Sequence, residues 1–406
     1  MNTSSTATLP SSSPTSSASP TAGKRITAID ALRGFDMFWI LGADDLVYAL
    51  KALGGSAITA GLAAQLSHKD WTGFAFYDMI FPLFVFIVGV SLVFSLTRSL
   101  QQEGGARTHW KIVRRFVILY LLAILYYGGF ANRWPDGIGL VGVLNRIALC
   151  YLFAALIFCH FRWKAIATIC VSLLVLYWGV MTWVPFPDVR PGADNGQPLT
   201  TPLTVRHTDQ LKWDSTHKLR GAFEPGLNLA HYVDQKYLPG KKWDGTWDPE
   251  GILSTIPAIA TCLLGVLAGL LLQNPLTPDQ RKVQILCVGG ALMVAAGFLW
   301  GLQFPVIKKI WSSSYVLVAG GYSALLLGLF YLIIEVWHVQ RWAQVFIWIG
   351  SNAITLYVIH NVVDLPKLAS RFAGGGVKDY LDAHVARGFG EVAITLKLNR
   401  IIRWHK

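Results

Sequence analysis

Charge is what this sequence has least of. Only 14% of its 406 residues are Asp, Glu, Lys or Arg, while 53% are hydrophobic. A soluble domain carries roughly a quarter charged residues, so the shortage excludes an ordinary soluble enzyme and points to a bilayer. Loops lack cysteine. Cys150, Cys159, Cys170, Cys262 and Cys287 all fall within apolar runs, which excludes a loop disulfide framework and a thiolate metal site. Neither metal-ligand spacing nor a phosphate-binding glycine loop is present, so no metal is expected. Acidic residues are outnumbered, 23 against 35 Lys and Arg, for a formal net charge of +12. The basic residues cluster between apolar runs. That pattern is topogenic and argues against a nucleic-acid surface.

What is there is a series of apolar runs, each near the roughly 20 residues a bilayer span needs. They cover about 34–53, 74–97, 116–131, 139–160, 165–184, 252–273, 284–303, 314–337 and 343–363. Sixteen Trp agree with membrane interfaces. The expected fold is an all-α, polytopic transmembrane helical bundle of about 9–10 spans with one long external loop region. The tenth span, within 380–406, is interrupted by Glu391, Lys397 and Arg400. Residues 1–23, almost all Ser, Thr, Pro and Ala, read as a disordered tail. Residues 24–406 form the membrane domain, and 185–251 read as an external lid. At its end Asp248 is expected to cap a helix that begins at Pro249.

The links at 98–115, 161–164, 274–283 and 338–342 carry Lys and Arg tight against span ends. The positive-inside rule assigns them, with Lys24, Arg25 and Arg33, to the cytoplasm. His68 and the lid then face outward. Lys308 and Lys309, in a short outer link, run against this rule.

Ionisable groups inside a bilayer are costly and face a bundle interior or a wet cavity. Asp44, Asp45, His68, Arg146, Glu250 and His360 all lie at outer span ends under this topology. Each has a plainer reading. His68 can be an incidental loop residue, Arg146 a structural partner of a buried carboxylate, Glu250 a first-turn helix acid and His360 a helix-end group. Their convergence favours a site. Trp213, Trp243 and Trp247 of the lid are candidates to stack on a sugar ring, beside their default role as interface anchors.

Seven motifs in register resemble one family. They are Ala28-Ile29-Asp30-Ala31-Leu32-Arg33-Gly34, His68-Lys69-Asp70-Trp71-Thr72-Gly73, Asp78-Met79-Ile80-Phe81-Pro82-Leu83, Gly142-Val143-Leu144-Asn145-Arg146, Asp248-Pro249-Glu250-Gly251, Lys309-Ile310-Trp311-Ser312 and Gly350-Ser351-Asn352-Ala353 through His360. Together they resemble the heparan-α-glucosaminide N-acetyltransferase family, its bacterial members above all. The resemblance implies a multi-pass enzyme of the bacterial cytoplasmic (inner) membrane, with a cytoplasmic N-terminus. It would move acetyl from cytoplasmic acetyl-CoA to glucosamine or a related amino sugar on the periplasmic side. The family's active-site histidine falls on His68. A family asparagine falls on Asp44, which is a departure, because an ionised Asp cannot donate a hydrogen bond to an oxyanion.

The expected roles follow. His68 acts as base or acetyl carrier, with Asp44 or Asp45 orienting it. Arg146, Glu250, Asn352, His360 and Trp71 bind the acceptor, and Arg146 can also polarise the thioester. Arg33, Arg98, Arg114 and Arg115, with Lys111, clamp the CoA phosphates. A homodimer is left open. Two rival readings stand beside this one: an amino-sugar transporter built on the same polar path, and an O-acetyltransferase of envelope polysaccharide.

Overall fold

The computed structural model describes residues 26–52, 57–127, 138–190, 211, 213 and 215–362. The expected tail, the expected tenth span and part of the lid lie outside these residues. The expectation of an all-α, multi-pass chain is met. The elements run α1 (Thr27–Ala52), α2 (Ala57–Gln65), α3 (Ile80–Glu103), α4 (Gly105–Tyr126), α5 (Val143–His160), α6 (Trp163–Trp183), β1 (Phe186–Pro187), β2 (Lys218–Leu219), α7 (Leu229–Tyr237), α8 (Thr255–Gln273), α9 (Asp279–Gly301), α10 (Ser313–Tyr331), α11 (Gln344–Ser351) and α12 (Ala353–Val362). β1 and β2 form a single antiparallel pair, with Phe186 opposite Leu219.

Six described helical segments are long and apolar enough to cross a membrane: Phe76–Glu103, α5, α6, α8, α9 and Ser313–Val336. Where the ninth span was expected, Arg341–Ser351 and Ala353–Ile359 are together long and apolar enough but bend by 65°, so the described spans number seven if this pair is one broken span. α1 and α4 are helical where spans were expected. α1 carries Asp30, Arg33 and Asp36, and the first turns of α4 carry Arg107, Lys111, Arg114 and Arg115.

Small residues set the closest helix contacts. α3 and α8 meet at Gly89 and Gly265, where an added Cβ would run into the Cys262 and Phe86 carbonyls. α1 and α11 meet the same way at Gly34 and Gly350. Lipid offers no hydrophobic drive to bring helices together, so backbone approach over glycine supplies the packing. Two clusters fill the bundle. One centres on Val85, Leu92, Leu263 and Trp311, the other on Leu32, Phe86, Ile87 and Leu327.

Successive helices alternate, so that Ile80, Tyr126, Val143, Trp183, Thr255, Gly301 and Ser313 share one face, called here the site face. Described residues of the segment between α6 and α8 pack over this face. Phe186, Leu229 and Ala230 pack on Tyr177 and Met181 of α6 and on Phe304, Ile307 and Ile310. The expected helix start at Asp248 is not found. α8 begins later, with Ser254 before its first residue. Asp248 instead closes a turn: one carboxylate oxygen accepts from Glu250 N (2.9 Å) and the other from Trp243 N (2.8 Å). The Asp side chain competes for backbone donors, and here the turn wins over the helix.

Candidate active site

Two loops meet on the site face. Residues 66–75 link α2 to the 3₁₀ turn Phe76–Met79, and residues 302–312 link α9 to α10. Thr72 pairs with Ile307 in an isolated antiparallel bridge, and Gly73 N donates to Val306 O at 2.9 Å. Gly73 has φ +119°, which only glycine adopts without strain. The second loop closes on itself. Trp311 N donates to Lys308 O, and Ser312 Oγ accepts from Ile307 N at 3.1 Å. The turn holds Trp311 at φ +51°, an uncommon value for a bulky side chain, and packing fixes it there. The indole is buried, donates to Thr261 Oγ1 at 3.1 Å and meets the Phe81 ring edge-on.

This bracing brings three ionisable groups together. His68 Nδ1 lies 2.8 Å from Asp78 Oδ1. Asp78 is fully buried, and its other oxygen accepts from Lys69 N (3.2 Å) and Ala75 N (3.1 Å). Its backbone carbonyl accepts from the Tyr315 hydroxyl at 2.7 Å. A carboxylate fixed by two backbone donors offers Nδ1 an acceptor, which favours the tautomer with its proton on Nδ1 and its lone pair on Nε2. The ring stacks on Tyr77 with centroids 4.5 Å apart, and its side chain is half-exposed. Lys308 Nζ lies 2.9 Å from Nδ1, 3.1 Å from Nε2 and 3.7 Å from Asp78 Oδ1.

His68, Lys308 and Glu250 face a cavity of about 910 Å³. Its inner walls are apolar, from Ile40, Phe84 and Ile147 to Tyr357. Trp243 and Lys241 lie nearer the surface, and Trp243 is largely exposed. Burial pushes the Glu250 carboxyl up to about 7, assisted by Asp248 and opposed by Arg146 and Lys308. Burial pulls the Lys308 ammonium down to about 8, opposed by Asp78 and Glu250.

The other expected residues divide. Arg146 does not line the cavity. It is buried behind Trp311, with its guanidinium 4.8 Å from the indole, and donates to Pro249 O (3.0 Å) and to Ser254 Oγ. It therefore braces the segment that carries Glu250 and is not positioned to polarise a thioester. Trp71 also misses the cavity. Its Nε1 donates to Phe223 O at 2.8 Å, and the ring packs edge-on against His231 and Trp247. Asn352 is exposed at the bend between α11 and α12, where its amide donates to Trp348 O. The side chains of Asp44, Asp45 and His360 lie outside the described residues. Of the aromatic candidates, Trp243 alone lines the cavity. Trp213 packs toward Tyr232, and Trp247 is buried against His231.

Sequence reading gave Asp78 and Lys308 no role. Asp78 was visible only as part of a motif. Lys308 did leave a signal, as a lysine in a short link that the charge rule would have kept free of it.

The basic residues expected to hold CoA phosphates also divide. Lys111, Arg114 and Arg115 border a second cleft of about 420 Å³ between α3, α4 and α5, together with Ser95, Ser99 and Tyr151. Arg115 lies over the Tyr151 ring at 4.7 Å. Arg33 lies elsewhere. It pairs with Asp30 (3.2 Å) and donates to Ser91 Oγ (2.5 Å) and Gly350 O. Arg98 is exposed and lies outside the cleft lining. The cleft and the cavity share no lining residue, but Ile147 of the cavity and Tyr151 of the cleft are neighbours one turn apart on α5. That is about 6 Å of helix.

Comparison with known proteins bears out the resemblance read from the motifs. Residues 25–192 match the family model described as heparan-alpha-glucosaminide N-acetyltransferase, catalytic. The chain is 26% identical over 345 residues to the heparan-alpha-glucosaminide N-acetyltransferase of Mus musculus. It is 28% identical over 342 residues to that of Homo sapiens. Each match covers 73% of this chain and 49% of the relative, so the chain spans about half the length of the curated relatives it matches.

Proposed function

The chain is a relative of the heparan-alpha-glucosaminide N-acetyltransferases, and on that premise we propose that it is a membrane acetyltransferase acting on an amino sugar. The donor is acetyl-CoA, and the acceptor is the amine of glucosamine or a short glycan ending in it. The setting proposed is a bacterial inner membrane, with the N-terminus in the cytoplasm and the site face outward.

The observation that carries the reading is the Asp78–His68 contact of 2.8 Å at the rim of a cavity. An amino sugar is largely an ammonium ion at neutral pH, and only the free amine attacks a thioester. A base that works near neutrality is required, and an imidazole held by a buried carboxylate meets that need. Nε2 removes a proton from nitrogen as the N–C bond forms. Asp78 keeps the imidazole in the reactive tautomer and stabilises the imidazolium. Glu250, on the same cavity, attracts the ammonium before it loses its proton, and Trp243 offers a face for the sugar ring. A carboxylate placed this way favours an amine acceptor over a hydroxyl one.

The basic cleft supports the donor's side of the reading. Lys111, Arg114 and Arg115 suit the CoA phosphates. From Arg115 to Tyr126, at the cavity end of α4, is eleven residues, about 16 Å of helix. The extended pantetheine arm suits that span, reaching the cavity past Ile147.

Labelled acetyl-CoA, purified protein and glucosamine, followed by mass analysis of sugar and protein, test the proposal. N-acetylglucosamine with stoichiometric release of CoA is expected. Label on a hydroxyl-only sugar and not on glucosamine would establish the polysaccharide O-acetylation reading instead. Glucosamine counterflow without any acetyl-CoA consumption would establish the transporter.

A further inference from the structure

Acetyl transfer to an amine has a second half that His68 does not serve. The carbon–sulfur bond must break, and the thiolate that leaves must be protonated. Lys308 is the one residue of the 302–312 loop placed against both members of the Asp78–His68 pair. We propose that Lys308 is a catalytic residue of this reaction, the general acid that protonates the leaving thiolate and then recovers its proton from His68. The inference rests on the acetyltransferase reading above.

The geometry comes first. Nζ is nearly equidistant from the two imidazole nitrogens, so it lies beside the ring and not in line with the Nε2 lone pair. A swing of the flexible lysine stem aligns it with Nε2 or turns it to the cavity it also lines. The loop cannot drift, because Thr72–Ile307, Gly73–Val306 and the Ser312 turn fix it on both sides of Lys308. Asp78 and Glu250 face the ammonium with opposite charge, while Lys309 faces it with like charge.

The chemistry then balances. The acceptor ammonium first loses one proton to solvent. As the amine nitrogen bonds to the acetyl carbon, its second proton passes to His68 Nε2. As the carbon–sulfur bond breaks, sulfur takes the electron pair and a proton from Lys308 Nζ. The neutral lysine, 3.1 Å from Nε2 before its stem swings into line, then accepts the imidazolium proton. Both residues end as they began, and one proton has moved from acceptor nitrogen to CoA sulfur. A general acid works best when its pKa is close to that of the group it protonates. The Lys308 ammonium stands at about 8, and an alkyl thiol at about 8.5.

The test uses two truncated acetyl donors, the thioesters of N-acetylcysteamine and of an acidic aryl thiol. An aryl thiolate leaves without a proton and needs no acid. With the full-length protein in detergent, Lys308→Arg keeps the charge but cannot release a proton. We expect its kcat with the alkyl thioester to fall by about 10²-fold, and with the aryl thioester by less than about 5-fold. Lys308→Gln is measured beside it, and thermal melting identifies the variant that remains folded. Equal loss with both donors, or no loss with either, overturns the assignment. Wild-type protein that transfers acetyl from neither donor nor acetyl-CoA defeats the acetyltransferase reading itself, a distinct result.

Discussion

Thr72 pairs with Ile307 across an antiparallel bridge, and this pairing sets Lys308 against the ring of His68. One backbone contact between distant loops therefore assembles a cation, an imidazole and the buried carboxylate of Asp78. The arrangement makes the site a joint product of the loop after α2 and the loop before α10.

Asp78→Asn separates orientation from simple presence of the histidine. An Asn amide would have to turn its NH₂ toward His68 or lose the Lys69 and Ala75 donors. The first orientation keeps both backbone donors satisfied, and it makes Nδ1 the acceptor and puts the proton on Nε2. The expected result is a loss of roughly 10²–10⁴-fold in kcat with the fold retained. His68→Ala is expected to abolish transfer. Turnover by purified, folded His68→Ala protein removes His68 from the mechanism.

Glu250 ties recognition to pH. Its carboxyl is held up to about 7, so it loses its charge as pH falls through that value. The acceptor KM is expected to rise from pH 8 to 6 in the wild type, and to be high and flat in Glu250→Gln. Stability runs the other way. The unfolded carboxyl ionises near 4.3, while the folded one keeps its proton to about 7. Folded protein therefore binds more protons across that interval, and stability falls as pH rises through it. Thermal melts of Glu250→Gln should lack this component of the fall.

The basic cleft separates donor binding from packing. Arg115→Glu is expected to raise KM for acetyl-CoA by about 10-fold or more, in line with loss of a charge-assisted phosphate contact, with a smaller change in kcat. Arg98→Gln, outside the cleft lining, should leave KM near its starting value. Arg33→Gln should lower the melting temperature, because its contacts to Asp30, Ser91 and the Gly350 carbonyl are lost. Unchanged KM in Arg115→Glu would move the phosphates elsewhere.

Gly265→Val tests the α3–α8 contact. Its side chain would meet the Phe86 carbonyl and the Val90 backbone, neither of which can rotate away. Helix separation should cost about 1–3 kcal/mol or more, read as a lower melting temperature in detergent. Gly289→Val, where a Cβ meets nothing within 4 Å, is the control and should melt near wild type.

Much of the fold was legible in the residues because a bilayer enforces a simple rule. Low charge and runs of about 20 apolar residues leave helices as the economical way to satisfy the backbone of this chain. His68 stood out as a base beside a long apolar run, and Glu250 as an acid at the outer end of a span. The motifs fixed the family resemblance. Composition could not show that Arg146 and Trp71 turn away from the cavity, because a side chain's direction depends on what packs around it. Nor could it show that 343–363 bends at Asn352, or that Asp248 closes a turn where a helix start was expected.

Tertiary structure alone decided the partners of the histidine. Asp78 lies ten residues from His68 and Lys308 lies 240 residues from it, and no periodicity links such positions. A salt bridge or hydrogen bond across that separation exists only once two loops are held in register. Hydropathy can place residues in or beside a membrane, since burial sums over a whole segment. The order in which charged groups face one another is settled by contacts between segments.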